Sequence, residues 1–141
     1  MENSKSEIRN SKQISKSNLI NSNISNKEFD LEERTFNFAE SVRIIVKKLP
    51  RTSGNLEDIP QLVRASGSQE ANYIEANESI SKKDFIFRIK ICRKEAKESR
   101  FWLRLVDVGM NLTLDEERKT LIQEATELMM IFGSIFRKTQ K

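Results

Sequence analysis

SKKDFIFRIKICRKEAKESRFWLRLVD, running from Ser81 to Asp107, is the stretch that decides the fold. Its apolar or small residues fall at Phe85, Ile89, Cys92, Ala96, Ser99, Leu103 and Val106. Steps that alternate four and three without a break place them on one seam of a single helix. A helix from Lys82 to Asp107 is about 39 Å long, at roughly 1.5 Å per residue. One apolar seam on a helix of that length has to be covered by other helices. Ser81 opens it as a cap for the Asp84 N–H, with the Asp84 carboxylate against the positive end of the dipole. Val108-Gly109 offers a left-handed cap at the other end, with Asn111 in the link that follows.

Composition agrees with that reading. Four Gly and two Pro against 33% charged residues favour long helices over a turn-rich β fold. The length of 141 residues suits one domain with a real core. The single cysteine excludes an intrachain disulfide and, on the seam, reads as a small core residue in a reducing compartment. No apolar run approaches the ~20 residues needed to span a bilayer. The first residues also lack a signal-peptide segment, so a cytoplasmic location without a membrane partner is expected.

Outward from the central helix, the remaining segments supply its covers. Residues 1–28 are rich in Asn, Ser and Lys, and their isoleucines at 8, 14, 20 and 24 keep no period. They are expected to form a disordered tail ahead of a bundle domain at 29–141. A first helix is expected to start at Asp30 as its cap. Leu31, Phe38, Val42, Ile45 and Leu49 form its stripe, Ala39 and Val46 widen it, and Pro50 forbids continuation. RTSGN reads as a plain loop. A second helix starts around Leu56 to Pro60 and runs to about Asn77, with an inward face of Leu62, Ala65, Ser66, Gly67, Ser68, Ala71, Asn72 and Ala76. Small residues there permit close approach, and Asn72 needs partners that Ser66 or Ser68 can provide. Thr113-Leu-Asp-Glu116 is a capping box for a fourth helix that carries Leu114, Leu121, Ala125, Leu128, Phe132 and Ile135. Together these predict an all-α, up-down-up-down antiparallel four-helix bundle.

The chemistry is sparse. There is no histidine, which removes most acid–base catalysis near neutral pH and the Ser-His and Cys-His nucleophile pairs. Glu75-Ala-Asn-Glu78 and Glu95-Ala-Lys-Glu98 have helical carboxylate spacing without the imidazole of a di-iron site. No phosphate-binding Gly loop occurs. No catalytic residues, metal or cofactor are expected, and the chain does not read as an enzyme.

Two sets of residues remain. Residues 82–107 hold nine Lys/Arg against four Asp/Glu, and Lys90, Arg93, Lys97, Arg100 and Arg104 keep one helical surface. With Phe101 and Trp102 beside them, they suit phosphate contact and base stacking. The plainer reading is a solvated face, or one paired with acids of the fourth helix. The second set is Arg64, Ser66, Ser68, Asn72, Glu75, Ser81 and Glu95, inward-facing polar residues read as satisfied pairs that fix register or an interface.

The same stretches carry a family resemblance. RASGS and NYIEA within 64–76, SKKDF (81–85), KEAKES (94–99) and FWLRLV (101–106), with DLEERTFNFAE (30–40) and KKLP (47–50), resemble the four-helix-bundle proteins encoded in intervening sequences of bacterial 23S rRNA genes. The likeness covers about 29–137. It implies a bundle assembling into a ring of identical subunits, commonly a pentamer, and no established activity. A related bundle is the accessory protein of diversity-generating retroelements, which binds a reverse transcriptase and, with it, nucleic acid. One departure is Gln69-Glu70, where members usually carry an aliphatic and a small residue, so the packing there does not follow from the resemblance. The expected function is a non-enzymatic, self-associating bundle that contacts RNA or DNA through the third helix. The alternative is a protein-interaction adaptor whose charged faces serve only assembly and partner binding.

Overall fold

The computed structural model describes residues 27–140, with side chains from Leu31 onward. The tail expected over 1–28 thus falls outside the described residues except for Lys27 and Glu28, which are helical. Four helices follow one another: α1 (Lys27–Val46), α2 (Ser53–Asn77), α3 (Lys82–Leu105) and α4 (Leu112–Thr139). There is no strand among the described residues. The helices run up-down-up-down as an antiparallel bundle, with α2 packed on α3 and α3 on α4. No helix among them is long and apolar enough to cross a membrane.

The α3 seam is the centre of the core. Ile89, Cys92, Ala96, Ser99 and Leu103 are fully enclosed, and Val106 continues the line one residue beyond the helix. Their facing residues include Phe38, Val42 and Ile45 of α1, Leu62 and Tyr73 of α2, and Leu128 and Phe132 of α4, all buried. Tyr73 and Phe132 meet with ring centroids 6.0 Å apart, a tilted aromatic contact from α2 to α4.

The helix starts depart from the sequence reading at three points. α1 already runs at Lys27, so Asp30 lies inside it and does not cap it. α2 begins at Ser53, with Thr52 as its cap accepting from the Asn55 N–H, so most of RTSGN belongs to the first turn. Pro60 then sits inside the helix and removes one backbone donor. Pro60 and Leu56 are both exposed, so water reaches the carbonyl that this leaves free. α4 is capped by Asn111, whose side chain accepts from the Leu114 N–H, and the Thr113 capping box is not formed. Asn ranks at or above Thr as a cap, and here it lies two residues earlier.

The inward face of α2 also differs from expectation. Ala71 is exposed, while Gln69 and Tyr73 are buried and provide the missing bulk. Gly67 faces α1, where a Cβ would stand 3.2 Å from Arg43 Nη2. The predicted close approach is therefore made by a guanidinium rather than by backbone.

At one end of the bundle, buried Asn55 ties two links together. Its Nδ2 donates to the carbonyls of Pro50 and Asp107, both at 2.8 Å, and its Oδ1 accepts from the Asp107 N–H at 2.8 Å. Arg118 donates to the Val106 carbonyl at 2.8 Å beside it. Val106, not the Val108-Gly109 pair, caps α3. Gly109 adopts φ +67° in the turn that follows, and its N–H bonds the Asp107 carboxylate.

Candidate nucleic-acid interface

The five stripe cations share one face of α3 by helical phase, and two of them, Lys90 and Arg93, are seen against α4. The Lys90 ammonium sits over the Phe136 ring, 5.0 Å from its centroid. Arg93 reaches the backbone of Gly133, where its Nε would be 3.7 Å from a Cβ placed on that glycine. Lys97 and Arg104 are exposed and Arg100 is half-buried. Phe101 is 50% exposed, and its ring meets the partly buried Trp102 edge-on at 4.8 Å.

Pairing with the acids of α4 does not occur. Among the described residues none of the five stripe cations forms an ion pair with a carboxylate. The α4 acids are engaged elsewhere. Glu124 and Glu127 bind Arg34 of α1 at 2.8 and 3.0 Å, and Glu117 binds Lys48 at 3.1 Å. Arg34 is held charged by Glu124 first and Glu127 second, and the Glu127 carboxyl is lowered first by its hydrogen bond from Gln123 and then by that from Arg34. Asp115 is held low by Lys119 and Arg118 within α4 itself. The acidic edge of α4 thus faces α1, while the edge facing α3 ends in Phe136 and the exposed Arg137.

The second residue set divides. Ser68, Asn72 and Glu95 come together in a network between α2 and α3. Asn72 donates to the Ser68 carbonyl and hydroxyl and accepts from Arg88 Nη1 at 3.0 Å. The nearly buried Glu95 carboxylate lies next to them, close enough for the Ser68 hydroxyl to favour its charged form. Desolvation raises the Glu95 carboxyl above the usual range, the Ser68 hydrogen bond pulls it down, and Glu98 adds to the rise. Ser66 is enclosed but serves its own helix, donating to the Val63 carbonyl.

Arg64, Glu75 and Ser81 do not join this network; all three are exposed. Arg64 bonds Gln61 on its own helix, and Ser81 is the α3 cap. The phase of α2 carries Arg64 and Glu75 outward, and Ser81 stands at the exposed start of α3.

Three buried polar residues were missed. Gln69 is fully enclosed and donates to the Ser99 hydroxyl at 3.1 Å, and Ser99 donates to the Glu95 carbonyl. Cys92 donates to the Gln69 carbonyl, and burial pushes its thiol up to about 12, which makes it inert rather than nucleophilic. Thr35 and Asn55 are likewise enclosed. Polar residues carry no hydrophobic period, so nothing in the pattern marks these positions as interior.

The geometry defines an antiparallel helical bundle with one unpaired basic edge and a polar pin between its second and third helices. A family model described as 23S rRNA-intervening sequence protein matches residues 27–134, and the chain belongs to that family. A crystal structure of a protein of unknown function from the S23 ribosomal protein family of Bacteroides thetaiotaomicron is similar, with a TM-score of 0.66 and 27% identity over 75% of this chain and 97% of that one. No curated protein matches this chain. The likeness to the retroelement accessory protein gains nothing from either match.

Proposed function

We propose that this protein is a non-enzymatic, cytoplasmic bundle that self-associates, in the manner of a ring, and contacts RNA or DNA through the α3 basic edge. The observation that carries this reading is the set of five cations without a carboxylate partner among the described residues, beside an α4 whose Glu124 and Glu127 bind Arg34 of α1 and whose Glu117 binds Lys48. Cations kept apart from available acids serve a partner that brings its own negative charge.

Binding is expected to tolerate sequence and to weaken with salt. Five phosphate contacts correspond to a log–log salt slope of about −4 to −5 on duplex and less on single strands. Replacing Arg93, Lys97 and Arg100 together with Gln should remove binding while the far-ultraviolet helix signal and oligomer size persist. Wild-type protein that binds neither RNA nor DNA at low salt would disprove the reading.

A second reading is favoured by Phe87, Phe101 and Leu105, each at least half exposed on α3. If the triple Gln variant loses its assembly instead, the edge is a protein interface and the chain is an adaptor.

A further inference from the structure

Across the groove from the α3 edge lies a second guanidinium, on α4, that the stripe does not include. Arg137 Nη1 would stand 3.4 Å, and Arg93 Nε 3.7 Å, from a Cβ built on Gly133. The two groups are therefore no more than about 7 Å apart. Both residues are exposed, and neither has an ion pair among the described residues. They line one cleft of about 420 Å³ with Gly133, Ser134, Met129 and Met130. Lys90 stands over Phe136, three residues along α4 from Gly133.

Two like charges held this close, without an anion between them, repel. The α4 dipole accounts for a cation in the last turn of that helix. It does not account for an α3 arginine meeting it over a glycine. A phosphate group resolves the arrangement. Charge-assisted N–H···O bonds of roughly 2.8 Å from each side reach two oxygens of one phosphate across such a gap. Arginine is suited to this because its planar fork can donate two parallel bonds.

We infer that Arg93 and Arg137 form a clamp for one backbone phosphate of a single-stranded nucleic acid, with Gly133 as its floor. The clamp rests on the nucleic-acid reading above and adds α4 to it. Lys97, Arg100 and Arg104 continue the line from Arg93 along α3, so the next phosphates of a strand meet further cations. A free phosphate gains nothing from those. Gly133 is buried beneath the two guanidinium groups, and a Cβ there would add bulk between them, 3.4 and 3.7 Å from their nitrogens.

The test is titration of a fluorescently labelled single-stranded RNA, with wild-type protein and single variants, at low salt. Arg137→Gln should weaken binding by about five- to tenfold and reduce the salt slope by about 0.7, the share of one single-strand phosphate contact. Arg137→Lys should restore it only in part, because a point charge replaces the fork. Gly133→Ala should melt at a higher temperature yet bind more weakly, a split that loss of structure does not produce. Wild-type affinity in Arg137→Gln, while the α3 triple variant binds nothing, overturns the clamp and leaves the α3 reading standing. Inorganic pyrophosphate that competes as well as RNA, mole for mole, overturns the nucleic-acid assignment in favour of a free-anion site. Wild-type protein that binds none of these ends both.

Discussion

Asn55 uses both faces of its amide on the backbone of two different links, and no other side chain described here joins the α1–α2 connection to the α3–α4 connection in this way. Removing it takes the partner from two carbonyls and one N–H of half-buried Pro50 and exposed Asp107, and leaves a cavity where the buried amide stood. Asn55→Ala should therefore destabilise the bundle by about 2–3 kcal/mol in chemical denaturation. Asn55→Asp should be equally poor, because it keeps the acceptor for Asp107 N–H but loses both donors. A loss under about 0.5 kcal/mol in the Ala variant would mean that water replaces the amide there. The sequence gives no notice of this residue, since a Ser-Gly-Asn run reads as a turn. Its role depends on a backbone segment 52 residues away.

At the scale of elements, the start and seam of α3 were legible and its end was not, and α2 was legible only in part. Every seam position of α3 is apolar or small, so period and burial coincide from Ile89 to Leu103. In α2 the buried set includes Asn55, Ser66 and Gln69, and a hydrophobic period cannot show polar residues that are satisfied inside. The basic edge was legible as a stripe on one helix. Its neighbours Gly133 and Arg137 were not, because the register of α3 against α4 is set by packing.

The α2–α3 network gives a pH prediction. Desolvation holds Glu95 above the ordinary carboxyl value of about 4.5, so the unfolded chain ionises before the folded one. In the window from about 4.5 up to the raised folded value, the native state binds more protons. Stability from this group is then highest below the window and falls as pH rises through it. Glu70 is raised too, by desolvation and then by Glu32 and Glu33, and it adds a slope of the same sign. Asp115 and Glu127 are lowered and oppose it. The difference between wild type and Glu95→Gln isolates the one residue. The variant keeps an oxygen for the Ser68 hydroxyl and never ionises. Its denaturation midpoint should exceed that of wild type at pH 7 and converge with it near pH 4. A constant offset at all pH values would assign the change to packing instead.

For the whole molecule, the distribution of charge and apolar surface bears on assembly. Phe87, Phe101 and Leu105 expose 58%, 50% and 51% of their surface on α3, at spacings that keep one outer face. Scattered single apolar residues are ordinary on a surface, but Phe101 and Leu105 lie one turn apart and form a candidate contact, with Phe87 about 21 Å further along the same face. A ring would cover that face with a neighbouring subunit and leave the cationic edge beside it at the rim. Repeated copies of a weak phosphate site then act together through effective concentration. Light scattering after size exclusion should report several times the 16.4 kDa of one chain at micromolar concentration. Phe101→Ser with Leu105→Ser should shift that mass toward the single chain without changing helix content, because both side chains are half exposed. RNA binding should weaken in the same variant even though every stripe cation remains. A mass of one chain across a dilution series of wild type would refute self-association, and an assembled double variant would move the interface away from α3.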